Sequence, residues 1–294
     1  MTGEGQGEGE ESRNFNKLFI PLPIIPSHQG RGNLVFYEII NIAQVNIHDF
    51  RLATYTLFVK SKVYIMRADQ VWAVIPALNA ESSIGEVIDR TKEYVPRVIV
   101  VNDGSTDRTA EVSLSRGVEF ISIPVNRGKG YALRRGFSHA LNRGCRAILT
   151  LDADGQHDPG DIPKFLQAHE RDADAILIGS RMAQAEHFPR QRYYSNRAAV
   201  FFISQALRGQ YLEDTQCGYR LYPAKAIKTI RLTTRHFQTE TEVLLRAARR
   251  GIRLSSVPVR NIYWDGNAAR SHFRPVVDTL YICLVVLQAY LGII

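Results

Sequence analysis

Cysteine is scarce: Cys145, Cys217 and Cys283 stand far apart in 294 residues and form no CxxC pair. That spacing excludes a disulfide framework and a zinc knuckle, and reduced thiols fit a cytosolic environment. No GxGxxG follows the first apolar strand pattern, and no glycine-rich loop ends in Lys-Ser or Lys-Thr. A dinucleotide-dependent oxidoreductase and a P-loop ATPase therefore lose their signatures. The N-terminus lacks the basic region and apolar core of a secretory signal and opens on the acidic run GEGQGEGEE, which argues against export. No internal repeat is evident. The longest apolar run, LYICLVVLQAYLGII at the end of the chain, would make a helix of only about 22 Å, short of the ~30 Å hydrocarbon core. Two readings of it stay open, a helix lying on a membrane surface and a helix packed on the domain.

What is present is an ordinary globular composition, 45% hydrophobic, in which 37 lysines and arginines outnumber 29 acids for a net charge of +8. The excess suits anionic partners without choosing among them. Up to about Arg67 the chain shows no sustained period: a low-complexity head, the Pro-interrupted FIPLPIIP, then mixed polar and aromatic residues. Met66 stands just before the first convincing strand, so one hypothesis starts the functional chain there. From Gln70 onward, apolar runs (VWAVIP, VIVV, FISIP, AILTL, AILIG) alternate with amphipathic segments across 82–92, after Asp107, across 128–142 and after Asp158. Such β-α-β alternation predicts an α/β fold with a mostly parallel sheet covered by helices on both faces. Asp158-Pro159-Gly160-Asp161 supplies an N-cap, a proline at N1 and an acid at N3 for the last of these helices.

In an open α/β sheet, ligands bind beyond the carboxyl ends of the strands, so three loops matter. After AILTL come Asp152-Ala153-Asp154 and then Gln156. Alternation along an extended segment would point both carboxylates to one side, where a cation must offset their repulsion. Mg²⁺ or Mn²⁺ would do so, with Gln156 as a further oxygen ligand; the competing reading is that these acids only cap the next helix. After VIVV, the run Asn102 to Asp107 reads as a turn and a cap, and Asp103 is an extra carboxylate able to meet a base or ribose. After VWAVIP, Asn79 reads as a helix cap and Glu81 as a nucleotide contact. Asn126-Arg127-Gly128-Lys129-Gly130 opens a helix whose N-terminus could approach an anion, or whose glycines simply relieve crowding.

The ordered set PALNAE, VNDGSTD, NRGKGYAL, LDADGQHDP and IGSR, followed by DTQCGYR, FQTETEVLLRAARRG and ARSHFRP, resembles the family 2 glycosyltransferases of GT-A fold. Within them it is similar to the dolichyl- and polyprenyl-phosphate sugar synthases. The resemblance covers about three-quarters of the chain and implies three parts: an N-terminal extension over 1–66, a GT-A catalytic domain over 67–273 and a C-terminal apolar helix over 274–294. It implies an inverting hexosyltransferase with a nucleotide-diphosphate sugar as donor and a polyprenyl phosphate or other lipid as acceptor, with no nucleic-acid partner. Pro76, Ala77, Glu81, Asp103 and Lys129 would bind the nucleotide sugar. Asp152, Asp154 and Gln156 would hold the metal and diphosphate, and Arg181 would contact the diphosphate. Arg192, Arg220 and Arg270 would grip the acceptor phosphate, with Arg190 and Arg197 in the same basic run. If the acceptor is a hydroxyl, Asp214 is the candidate base, against the competing reading that it only orders the DTQCGYR loop. A cytoplasmic protein, peripheral at the cytoplasmic face of a membrane, is the expected setting. Two competing functions are nucleotidyl transfer, whose glycine-rich loop is missing, and a binding protein that has lost turnover, which should have lost some of these ligands. Asn102 departs from the aspartate common in related motifs, and the first 66 residues have no recognised counterpart.

Overall fold

The computed structural model describes residues 70–183, 190–260, 262 and 274–294, all within the compact unit Arg51–Ile294. The expected extension over 1–66 and Arg270 lie outside the described residues. The strands are β1 (Val71–Ala77), β2 (Arg97–Asp103), β3 (Glu119–Ile123), β4 (Ala147–Thr150), β5 (Ile176–Ser180), β6 (Arg220–Pro223) and β7 (Leu254–Pro258). They form one sheet in the order β3-β2-β1-β4-β6-β5-β7. All neighbours pair in parallel except β6, which runs antiparallel to both β4 and β5. The fold is α/β with a mostly parallel sheet, as the alternation predicted; the short strand RLYP gave no such sign.

Each expected helix is present: α1 (Ile84–Lys92), α2 (Thr109–Leu114), α3 (Lys129–Asn142) and α4 (Ile162–Arg171). They are followed by α5 (Arg190–Ala206), α6 (Ala224–Thr229), α7 (Gln238–Arg249) and α8 (Pro275–Tyr290). One start shifts. Asp158 does cap, accepting the Gly160 N–H at 2.9 Å, but it caps a short 3₁₀ turn over Pro159–Asp161, and α4 begins only at Ile162.

β1 shows why the strands lack polar alternation. Trp72 and Val74 enter one core with Leu133 and Phe137 of α3 and Leu244 of α7, whereas Ala73 and Ile75 enter the other with Ile88 of α1 and Phe165 of α4. A strand buried on both faces reads as a continuous apolar run. Pairing with β4 reaches only Val74, whereas pairing with β2 continues to Ala77. The sheet therefore opens between β1 and β4 at their carboxyl ends, where the strand order also reverses.

α8 packs Val285, Val286 and Ala289 into the first core and leaves Leu280, Leu284 and Leu287, with Leu291 just past its end, more than half exposed. Tyr290 donates from its hydroxyl to the Phe202 carbonyl at 3.1 Å, which sets that exposed side next to the exposed Phe201 and Phe202 of α5. Among the described residues, no helix is long and apolar enough to cross a membrane.

Close approach of α3 to the sheet requires Gly136, where an added Cβ would lie 2.3 Å from Cγ1 of Val74. In an exposed helix Gly→Ala gains up to about 1 kcal/mol. Here Gly136→Ala is expected to lose about 1–3 kcal/mol through overpacking, and denaturant unfolding that found the variant more stable would refute this packing account.

Candidate active site

The loops after β1 and β2 brace each other through reciprocal hydrogen bonds. Asn79 donates its N–H to Ser105 Oγ (2.9 Å) and accepts the Thr106 N–H at Oδ1 (2.8 Å). Glu81 donates its N–H to Asp107 Oδ2 (3.1 Å) and accepts the Arg108 N–H at Oε2 (2.9 Å). Asn79 holds a positive φ of 48°, which Asn tolerates better than most residues. Glu81 thus stands exposed on the rim, already occupied with the neighbouring loop. Pro76 and Ala77 end β1 beside Val101 and Asn102. Ser83 Oγ donates to the Ala153 carbonyl at 2.7 Å, tying the first loop to the third.

At the end of β2, buried Asp103 accepts the Arg127 and Gly128 N–H groups, one on each oxygen, both at 2.8 Å. It thereby fixes the NRGKG loop and with it the start of α3. Gly128 has φ +95°, and a Cβ there would sit 2.2 Å from Nδ1 of His236. Lys129, the first residue of α3, is aimed inward: its Nζ lies 2.6 Å from Asp152 Oδ1 and 3.2 Å from Glu240 Oε2. A Cβ on Gly218 would come within about 3.0 Å of Lys129 Nζ, Asp152 Oδ2 and Glu240 Oε1. Glycine at 218 therefore keeps this cluster open.

The Asp152-Ala153-Asp154 geometry differs from the expected one. β4 ends at Thr150 and the triplet turns, so strand alternation does not align the carboxylates. Instead Asp154 Oδ1 accepts the Gln156 N–H at 3.0 Å, the Gln156 carbonyl accepts the Ile262 N–H at 2.9 Å, and the Asp152 N–H donates to His157 Nδ1 at 3.1 Å. Burial opposes ionisation of Asp152, but Lys129, His157 and Arg181 hold its carboxyl below the usual range. Burial and the adjoining Asp152 charge push Asp154 the other way, above that range. His157 is buried, stacks on Tyr219 with centroids 5.2 Å apart, and is driven down to about 4 by desolvation.

Arg181, at the end of β5, is held by Asp214 through Nε at 2.7 Å and Nη2 at 3.0 Å. Asp214 is fully buried and also accepts the Gln216 and Cys217 N–H groups at 3.0 and 3.2 Å. Desolvation alone would raise its pKa; the Arg181 pair and these N–H donors lower it instead. A carboxylate so saturated anchors an arginine and orders its own loop, and its lone pairs are already taken by protein donors. Arg220 changes role: fully buried, it donates to the carbonyls of Cys217 (2.6 Å), Glu240 (2.7 Å) and Thr215 (2.9 Å). Its guanidinium organises the loop under the site and does not face an acceptor. Arg192 lies in the first turn of α5, and Arg197 is exposed on the same helix.

The structure thus brings Lys129, Asp152, Asp154 and Arg181 together. It adds two residues that the sequence did not single out, Glu240 and Gly218. An acid in the first turn of α7, ahead of the apolar Val243, Leu244 and Leu245, was the available signal for Glu240, since buried acids need a partner. Among the described residues no group of three His, Cys, Asp or Glu side chains forms a cage for an ion. Asp152, Asp154 and Gln156 would leave coordination positions for a diphosphate, and burial beside the Asp152 charge, which raises the Asp154 pKa, favours a further positive charge there. That all-oxygen set fits Mg²⁺ or Mn²⁺.

The profile of the family described as "Glycosyl transferase family 2" matches residues 72–231. A UDP-N-acetylglucosamine–dolichyl-phosphate N-acetylglucosaminyltransferase of Methanococcus voltae is 29% identical over 68% of this chain and 88% of its own. An undecaprenyl-phosphate mannosyltransferase of Micrococcus luteus is 31% identical over 65% of this chain and 82% of its own. Among solved structures, glucosyl-3-phosphoglycerate synthase of Mycobacterium tuberculosis in complex with UDP superposes with a TM-score of 0.55 at 20% identity, covering 74% of this chain and 79% of that one. The same synthase has also been crystallised with Mn²⁺ and UDP. These solved structures share the fold.

Asp214→Asn is expected to weaken binding of a diphosphate nucleotide as well as turnover, because Arg181 loses its anchor, and to destabilise the fold by about 3–5 kcal/mol as a broken buried pair. Its depressed pKa makes Asp214 stabilising above the ordinary carboxylate value of about 4, and that contribution is lost as pH falls through the lower folded value; the variant should flatten this acid limb. Intact donor binding with abolished turnover would instead restore Asp214 as a base.

Proposed function

The chain belongs to glycosyl transferase family 2, and we propose that, as a glycosyltransferase, it moves a sugar from a nucleotide-diphosphate donor to a polyprenyl phosphate with inversion at the anomeric carbon. The observation that carries this reading is the half-buried cluster of Asp152, Asp154, Lys129 and Arg181 at the carboxyl ends of β4 and β5. Breaking the anomeric bond builds negative charge on the leaving diphosphate, and Lys129 and Arg181 supply fixed positive charge with no reorganisation at the moment of reaction. Asp152, Asp154 and Gln156 would hold a divalent cation, which when bound supplies Lewis-acid stabilisation to the diphosphate. Asp103 and the end of β1 offer the base and ribose end of the crevice, with Glu81 on its rim.

The acceptor decides whether the protein must remove a proton. A hydroxyl loses one during attack, whereas a phosphate monoester is already largely ionised near neutrality. The engagement of Asp214 with Arg181 and two backbone N–H groups supports the acceptor that needs no base. The two relatives named above for dolichyl and undecaprenyl phosphate support it from another side. Arg192, at the amino end of α5, and Arg270 are assigned to the acceptor phosphate, where bidentate donation positions oxygens. A lipid acceptor also gives the exposed leucines of α8 and the Phe201–Phe202 pair a purpose, docking on the membrane surface that holds it.

With a panel of nucleotide sugars, undecaprenyl or dolichyl phosphate and Mg²⁺ or Mn²⁺, mass spectrometry should detect a glycosylated lipid phosphate. Asp152→Asn should lower the rate by at least about 100-fold, on the scale of a lost transition-state contact. Product with a retained anomer, or no product from any donor, would defeat the reading. Separately, Leu280→Glu with Leu284→Glu should abolish sedimentation with anionic vesicles while leaving the fold intact, since both side chains are exposed; unchanged sedimentation would remove the docking role, and a change only in self-association would make the face a contact between copies.

A further inference from the structure

We propose that His157 is a positioning residue for the catalytic centre: by accepting the Asp152 main-chain N–H, it sets the direction in which the Asp152 carboxylate meets the metal and diphosphate. This rests on the proposed site and extends it to a residue with no contact to the reactants of its own. A backbone N–H can only donate, so the Nδ1 at 3.1 Å must be the bare nitrogen of the imidazole, and the ring proton sits on Nε2. That second nitrogen faces Cys217 Sγ at 3.8 Å, and the ring face lies against Tyr219. Tyr219 is itself fixed, its hydroxyl donating to the Asp158 carbonyl at 3.2 Å and its ring packed on Phe165. The imidazole is therefore clamped from the segment before β6 that carries Gly218, and from there it reaches back over five residues to the start of its own turn.

Lys129 holds the Asp152 carboxylate, but the surroundings leave its main chain few other supports. The triplet lies beyond the last ladder position of β4, so sheet hydrogen bonding does not fix the Asp152 main chain. Ser83 holds Ala153 and the Gln156 N–H holds Asp154, and the Asp152 N–H is held by His157. Outer groups that orient ligands in this way typically change metal affinity by about 10–100-fold when removed.

The hydrogen bond and the packing of the ring can be separated by two substitutions. His157→Phe keeps an aromatic ring on Tyr219 but has no acceptor; His157→Asn loses the ring and keeps an acceptor, Oδ1, at the position of Nδ1. Mn²⁺ affinity is read from the electron-paramagnetic-resonance signal of free Mn²⁺, with UDP or GDP present according to which the wild type binds, alongside thermal melting and Asp152→Asn as reference. His157→Phe should weaken Mn²⁺ binding by about 10-fold or more with a melting temperature near wild type, and His157→Asn should recover most of that loss even if it melts lower. If His157→Phe binds Mn²⁺ like the wild type while Asp152→Asn does not, or if His157→Asn is the weaker of the two, the positioning role is overturned and the proposed site stands. A wild-type chain that binds no Mn²⁺ under any of these conditions overturns the site and this inference together.

Discussion

Everything at the crevice depends on keeping Asp152 ionised in a place where burial disfavours charge. The ammonium of Lys129 at 2.6 Å meets that demand, and the rest of the local architecture can be read as the means of putting it there. Asp103 pins the two peptide groups before Lys129, glycines at 128 and 130 admit the amino end of α7, and Gly218 leaves the space in which lysine and two acids converge. The Asp152–Asp154 repulsion is not removed by Lys129, which sits on the first carboxylate. On the proposed reading, that imbalance is what would make the second one receptive to a dication and to the diphosphate charge arriving with it.

The same logic separates residues that act on ligands from residues that hold those in place. Asp214 and Arg220 both carry full charge and both are buried, yet each has its hydrogen-bonding capacity directed at the protein: Asp214 at Arg181 and two N–H groups, Arg220 at three carbonyls. Charged residues conspicuous in a motif are thus partly scaffolding. Arg181 keeps its aim because its carboxylate partner is itself immobile.

Much of the frame was legible from local pattern. The doubly buried strands announce themselves as apolar runs, and the loops after β1, β2 and β4 stand out because polar residues crowd where strands end. What local pattern does not carry is pairing across long separations. Glu240 reaches Lys129 from α7, and Gly218 shapes the site from the turn before β6; neither has a periodic or spacing signature that points at Asp152. The antiparallel course of β6 was hidden for a related reason, since four residues are too few to show a period. The expected alternation of Asp152 and Asp154 along a strand failed because the strand stops two residues early, and hydrogen bonds from His157, Gln156 and Ser83 replace the ladder.

The antiparallel β6 has one more effect. β5 and β6 are adjacent, so the chain that leaves at Arg181 returns beside it at Asp214, and a single ion pair joins two residues 33 apart in sequence. The segment between them, with α5 and its basic amino end, is a loop gathered at its neck. The Arg181–Asp214 pair holds the neck independently of the length and chemistry of what hangs from it. On the proposed reading, donor chemistry and acceptor choice would then sit on separately variable pieces of one domain.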